Sequence, residues 1–96
     1  MNIIISETAK ELVRNNIDDI TVDLITIDGY TEPYVSRDKP SKLIINDYNI
    51  FNVDNTNIYI HKNLVSSKDG ITITKANDFR ITSKLQVEGL IYEQLF

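Results

Sequence analysis

Ninety-six residues are enough for one domain and too few for a repeat array or an enzyme with a separate cofactor domain. The chain holds no cysteine and no tryptophan, which excludes disulfides, thiolate metal sites, cysteine-held iron–sulfur clusters and cysteine nucleophiles together. The formal net charge is −4 and Lys and Arg are scattered singly, which argues against nucleic-acid phosphate as a ligand.

Isoleucine fills sixteen positions, so the apolar content is β-branched and favours strands. Residues 2–5 read as a short strand. Ser6 is a good helix cap and Glu7 suits the positive end of the helix dipole. Ala9, Leu12 and Val13 then recur at helical spacing, which predicts a helix over 6–15. Asn15-Asn16 stops it, and Asp18-Asp19 forms the link onward. The run from Ile20 to Ile27 alternates as a strand. Ile20, Val22 and Leu24 take one face, Thr21 and Asp23 the other. Ile25 and Ile27 share that second face, which predicts that its far end is also covered. Asp28-Gly29 is a turn signal.

Residues 29–41 contain both prolines, Pro33 and Pro40, together with Tyr30 and Tyr34. They read as the longest irregular stretch and the first place to look for a site. Strands are predicted at Lys42–Ile45, Ile50–Val53, Asn57–His61 and Ile71–Lys75, arranged as a meander. Turns fall at Asp54-Asn55-Thr56 and Asp69-Gly70. Ile58 and Ile60 alternate with Tyr59 and His61, which predicts one buried face. Asn63–Ser66 fits a short strand or a half-turn, Phe79–Ile81 is ambiguous, and Leu85–Val87 fits a last strand. Leu90–Phe96 fits a helical turn or a docked tail. This order gives a single β-rich α+β domain over residues 1–96 with an N-terminal helix. No segment has the length of a membrane span or the pattern of a secretory leader, so a cytoplasmic location is the default expectation.

Few residues suggest chemistry. His61 is the lone histidine and would need Asp47, Asp54 or Asp69 beside it to hold a metal; otherwise it is a surface strand residue. A calcium loop starting at Asp47 would need Gly and Glu where Asn52 and Ile58 stand. Asp23 lies inside a strong strand, where an exposed face accounts for it. Ser36, Ser41, Ser66 and Ser67 sit in no nucleophile elbow. An enzyme built on Asp23, His61 or a tyrosine requires those side chains to converge. Tyr30 and Tyr34 suit an interface, with an apolar ring and a polar tip, or else they cap one end of the core.

The order ISETAKELV, ITVDLITIDG, FNVDNTNIYI, KLQVEGL resembles the HesB-like (A-type iron–sulfur carrier) superfamily over roughly residues 3–91. In particular it resembles the small branch that carries a Cys-Cys or Cys-selenocysteine pair after a glycine and before a proline. Gly29 and Pro33 match that frame, and Tyr30 and Thr31 stand where the pair would stand. Asn55 replaces the glycine of the family's Val-Asp-Gly hairpin, residues 84–90 match its closing strand, and the carriers' C-terminal Cys-x-Cys has no counterpart. The resemblance implies a compact β-sandwich or barrel with an N-terminal helix, in a family whose members carry clusters on cysteines, often at a dimer interface.

Hard oxygens at Tyr30 and Thr31 cannot replace thiolates on a cluster. The expectation is therefore a non-enzymatic HesB-like domain without cofactor or metal. Its role would be binding or scaffolding, with Gly29, Tyr30, Thr31, Pro33 and Tyr34 as a degenerate site or contact loop. Its partner would be another protein, a second copy of the chain included, and neither nucleic acid nor membrane. The alternative is an accessory of iron–sulfur assembly that works through a partner or holds labile iron on oxygen ligands.

Overall fold

The computed structural model describes residues 1–14, 19–77 and 84–92. β1 (Ile3–Ile5) turns Ile3 and Ile5 inward and leaves Ile4 half exposed. Ser6 caps α1 (Glu7–Arg14), its hydroxyl accepting the Ala9 N–H at 3.2 Å, a contact worth about 1 kcal/mol. The predicted spacing holds, since Ala9 and Val13 are buried and Leu12 packs against the core. Residues 15–18, where the sequence placed the helix stop, lie outside the described residues, and Asp19 is the first residue of the next strand rather than part of a link.

β2 (Asp19–Ile27) and β3 (Tyr30–Ser36) form a hairpin over Asp28-Gly29. Both turn residues have positive φ, 53° and 83°, the conformation a two-residue hairpin loop demands and glycine reaches most cheaply. β4 (Tyr48–Val53) and β5 (Thr56–His61) form a second hairpin, with Asp54 and Asn55 at positive φ in its turn. The chain continues through β6 (Val65–Ser66), β7 (Ile71–Lys75), β8 (Leu85–Glu88) and β9 (Leu90–Ile91).

Three open sheets result, with orders β3-β2-β5-β4, β1-β7-β8 and β6-β9. The class is the expected β-rich α+β with a helix near the N-terminus, but the sheets do not close into a barrel. The second half is not a meander: β5 lies parallel to β2 and β7 parallel to β1. Those parallel partners come from the first half of the chain, and this makes β2, β5 and β7 central strands. Accordingly Ile20, Val22, Ile58, Ile60, Ile71 and Ile73 are the most deeply buried of the apolar side chains these strands contribute. The core joins them to Ile3, Ile5, Val35, Leu85 and Val87, with Ala9 and Val13 of α1. Each fully buried isoleucine contributes about 1.5–3 kcal/mol. Gly70 marks a close backbone approach, because a Cβ there would stand 2.1 Å from the Asn2 carbonyl oxygen, the same oxygen that accepts the Ile71 N–H at 2.9 Å.

Further expectations fail or hold only in part. The stretch 29–41 is not irregular throughout, because Tyr30–Ser36 is a regular edge strand. Its Pro33 misled the reading. The two-residue loop makes Ile27 and Tyr30 a hydrogen-bonded pair, so the Leu24–Pro33 pair is a non-bonded one and the proline nitrogen faces the open edge, where no ladder bond is lost. Lys42–Ile45 is not a strand but a turn leading into one 3-10 turn, Ile45–Asp47, with Leu43 wholly exposed. Of the two readings for Leu90–Phe96, the helical turn fails at Leu90-Ile91, which is docked as strand β9, paired with β6. The far end of β2 is covered only in part, since Ile25 is half-buried but Ile27 is 55% exposed. Phe79–Ile81 and residues 93–96 lie outside the described residues.

Candidate functional site

Strand alternation and register place the predicted residues. On the core side of the β2–β3 hairpin stand Val22, Leu24 and Thr26 against Val35, Pro33 and Thr31. On the outer side stand Asp23, Ile25 and Ile27 against Tyr34, Glu32 and Tyr30. Gly29 forms the tip, and a Cβ added there would meet nothing within 4 Å. Thr31 is buried and shares a hydrogen bond with Thr26, their hydroxyl oxygens 3.1 Å apart. Tyr30 is 64% exposed and Tyr34 49% exposed, so neither caps the core. The five predicted residues therefore divide: Thr31 and Pro33 face inward, and Tyr30 and Tyr34 face solvent.

The outer face of the four-stranded sheet has two parts. At one end, Thr21 of β2 pairs with Tyr59 of β5, and both are 6% exposed. The Thr21 hydroxyl donates to the Asp38 carbonyl, which sets the segment between β3 and β4 on this face. Pro40 in that segment is buried. Hence Tyr59 does not share the exposure predicted for its side of the strand. Burial, and then the charge and hydrogen bond of Asp19, push its phenol above the ordinary range.

Beyond the Thr21–Tyr59 pair, one row of side chains crosses the whole sheet. Tyr34 on β3 faces Asp23 on β2. His61 on β5 lies one residue past the Val22–Ile60 pair, and Tyr48 on β4 faces His61. The Tyr48 hydroxyl donates to Asp23 Oδ2 at 2.6 Å. The Tyr48 and His61 rings meet edge to face, their centroids 5.2 Å apart. His61 Nδ1 accepts the Asn63 N–H at 3.1 Å, which leaves Nε2 to carry the proton of the neutral ring. The Tyr48 phenol is pushed up to about 12, first by burial, then by its hydrogen bond to Asp23 and by the charges of Asp23 and Asp47.

Sequence reasoning reached this row only in part: it asked whether Asp23, His61 and a tyrosine converge, and here they do, with Tyr48 as the tyrosine. It singled out Asp23 and His61 but not Tyr48, and it looked for partners of His61 among Asp47, Asp54 and Asp69. The pairing of β5 with β2, 38 residues apart along the chain at Asp19 and Asn57, is what brings Asp23 and His61 into one row. Glu88 is exposed. Among the described residues no three His, Cys, Asp or Glu side chains gather closely enough to hold a metal ion. No helix among them is long and apolar enough to cross a membrane.

Fold and site together define a small β-rich α+β domain with exposed aromatic side chains on one protruding hairpin and a carboxylate–tyrosine–histidine row behind it. The chain belongs to the CC/Se motif containing family, whose model matches residues 1–90. No curated protein and no solved structure matches it. The family is described by a motif that this chain cannot carry, because it has no cysteine.

Proposed function

We propose that this chain is a non-catalytic binding or scaffold domain that meets a protein partner through the outer face of the β2–β3 hairpin. The observation that carries this reading is the exposure of Tyr30 and Tyr34 on one face, beside Ile27; on the resemblance stated above, Gly29 and Pro33 would frame the place of the family's thiol pair. Two large aromatic side chains held outward by regular strand alternation serve no core, and tyrosine is enriched where one protein meets another. The row behind them supports binding over catalysis. A phenol held near 12 is a poor proton donor or acceptor at neutral pH, and Asp23 is already engaged as its acceptor.

HesB-like ancestry, a cytoplasmic location and a cofactor-free state belong to the same proposal. Anaerobic reconstitution with iron and sulfide tests it. The expected product is a colourless protein with no bound cluster. A stoichiometric cluster spectrum overturns the reading. The second reading, an accessory of iron–sulfur assembly or a holder of labile iron, draws on the exposed Tyr30 phenol beside Gly29. It predicts ferrous or ferric iron binding that Tyr30→Phe abolishes.

A further inference from the structure

The hairpin strands Asp19–Ser36 carry four carboxylates, Asp19, Asp23, Asp28 and Glu32, and not one Lys or Arg. The next cation along the chain, Arg37, turns its guanidinium away toward α1, where Nη2 donates to the Leu12 carbonyl at 2.9 Å. Within this anionic face Asp23 stands apart. It is half-buried, it accepts one hydrogen bond, from Tyr48, and no Lys, Arg or His nitrogen lies within 4.0 Å of it among the described residues. A half-buried carboxylate is ordinarily matched by a cation, since desolvation costs it free energy that one neutral hydrogen bond offsets only in part. Its neighbours in the row are aromatic: Tyr34, half exposed, on one side, and the His61–Tyr48 pair on the other.

We propose that this face is a docking surface for a basic segment of a protein partner, with an Arg or Lys side chain seated on Asp23 beside the ring of Tyr34. The inference rests on the binding reading above and names the chemistry of the partner. The carboxylate supplies the charge, and the ring face of Tyr34 supplies a cation–π contact. Glu32 extends the anionic surface toward the tip, and Ile27 and Tyr30 offer apolar area for the partner's flanking side chains. The Tyr48 hydroxyl fixes one oxygen of Asp23, so the carboxylate is oriented before the partner arrives.

Two other occupants fit less well. A second copy placed by two-fold symmetry would set this face on itself, carboxylate against carboxylate, with no Lys or Arg on the hairpin strands to neutralise them. Strand addition at the β3 edge meets Pro33 in the middle of the edge, with no N–H to give.

The test is a titration of the isotopically labelled full chain with a short blocked peptide of alternating arginine and leucine, followed by backbone and tyrosine-ring resonances. Its controls are the same peptide with citrulline for arginine, which keeps the shape and removes the charge, and one with glutamate. Shifts are expected at Asp23, Tyr30, Tyr34 and His61, with binding about tenfold weaker or more for the citrulline peptide. Asp23→Asn is expected to weaken the arginine peptide to a similar degree. Tyr34→Ala, at a half-exposed position that leaves the fold intact, should weaken it several-fold, whereas Asp69→Asn in a distant exposed turn should not. Equal binding of arginine and citrulline peptides overturns the proposal, as do shifts spread over unrelated acidic positions such as Glu88. So does binding unchanged by both Asp23→Asn and Tyr34→Ala, and so does a concentration-dependent dimer formed through Tyr34. A colourless protein after iron–sulfide treatment that ignores the arginine peptide would sink this inference and leave the cluster-free binding reading standing.

Discussion

The two ends of the β2–β3 hairpin are built from the same kinds of residue and have opposite fates. At the base, Ile20 and Val22 lie against β5 and the second sheet and are essentially inaccessible. At the tip, Ile27 is 55% exposed and Tyr30 64%. Sequence alternation is equally good at both ends. The difference lies in pairing: β5 runs beside β2 only from Asp19 to Val22, so among the described residues the hairpin continues past it without a second strand paired to β2. A strand is buried by what lies beside it and beneath it, and that is settled by long-range register more than by its own composition. The base is therefore a stability element, and the tip is the part that the proposed binding role would use.

The sharpest way to break that contrast is to truncate one isoleucine at each end of the sheet. Ile58→Ala removes a fully buried side chain between the two sheets and is expected to cost about 2–5 kcal/mol, from lost burial plus the cavity left behind. Ile27→Ala on the exposed tip is expected to change stability by no more than about 0.5 kcal/mol. Urea denaturation midpoints at fixed slope measure both. Similar losses at the two positions would mean that the tip is packed after all.

Glycines sharpen the same contrast. Gly70→Ala would drive a Cβ into the Asn2 carbonyl at 2.1 Å and hold alanine at a φ of 87°, so about 2–4 kcal/mol of destabilisation is expected from clash and backbone strain. Gly29→Ala meets open space at the tip and costs only the left-handed conformation, about 1–2 kcal/mol. Thermal melts of the two variants should fall in that order.

Much of the fold was legible because local signals and tertiary structure agreed. Ser6 capped the helix, Ala9 and Val13 faced the core, and Asp28-Gly29 turned the hairpin. The sequence reading failed where a local signal had two physical meanings. Pro33 marks a loop in most contexts, yet it is harmless at the edge-facing position of an outer strand. Leu43-Ile44-Ile45 has the composition of a strand, but it is spent on a turn with Leu43 in solvent. The parallel pairings of β1 with β7 and β2 with β5 leave no local trace, and they are what turn a predicted meander into mixed sheets. The site was half legible for the same reason. Tyr30 and Tyr34 could be named from their place beside Gly29 and Pro33, whereas the row from Tyr34 through Asp23 and His61 to Tyr48 exists only across strands.

That row makes the smallest effect of the three, and one with a definite pH signature. Tyr48 is neutral in the folded state up to about 12, while in the unfolded chain it ionises near its ordinary value of 10.0. A phenol held neutral by folding contributes a stability that is fully present below pH 10 and is lost as pH rises from there toward 12, because the unfolded state releases its proton first. The urea midpoint should therefore hold level to about pH 10 and then decline, with the tyrosinate absorbance of Tyr48 and Tyr59 appearing late. Tyr48→Phe shrinks the alkaline decline to the part that Tyr59 contributes and, by leaving the half-buried Asp23 without its donor, costs about 1–2 kcal/mol near neutrality. Asp23→Asn should let the Tyr48 phenol ionise at lower pH, since the carboxylate charge and hydrogen bond both hold the proton in place. If Tyr48 ionises as an ordinary tyrosine in the folded protein, the base of the hairpin is as open to water as its tip, and the contrast between the two ends collapses.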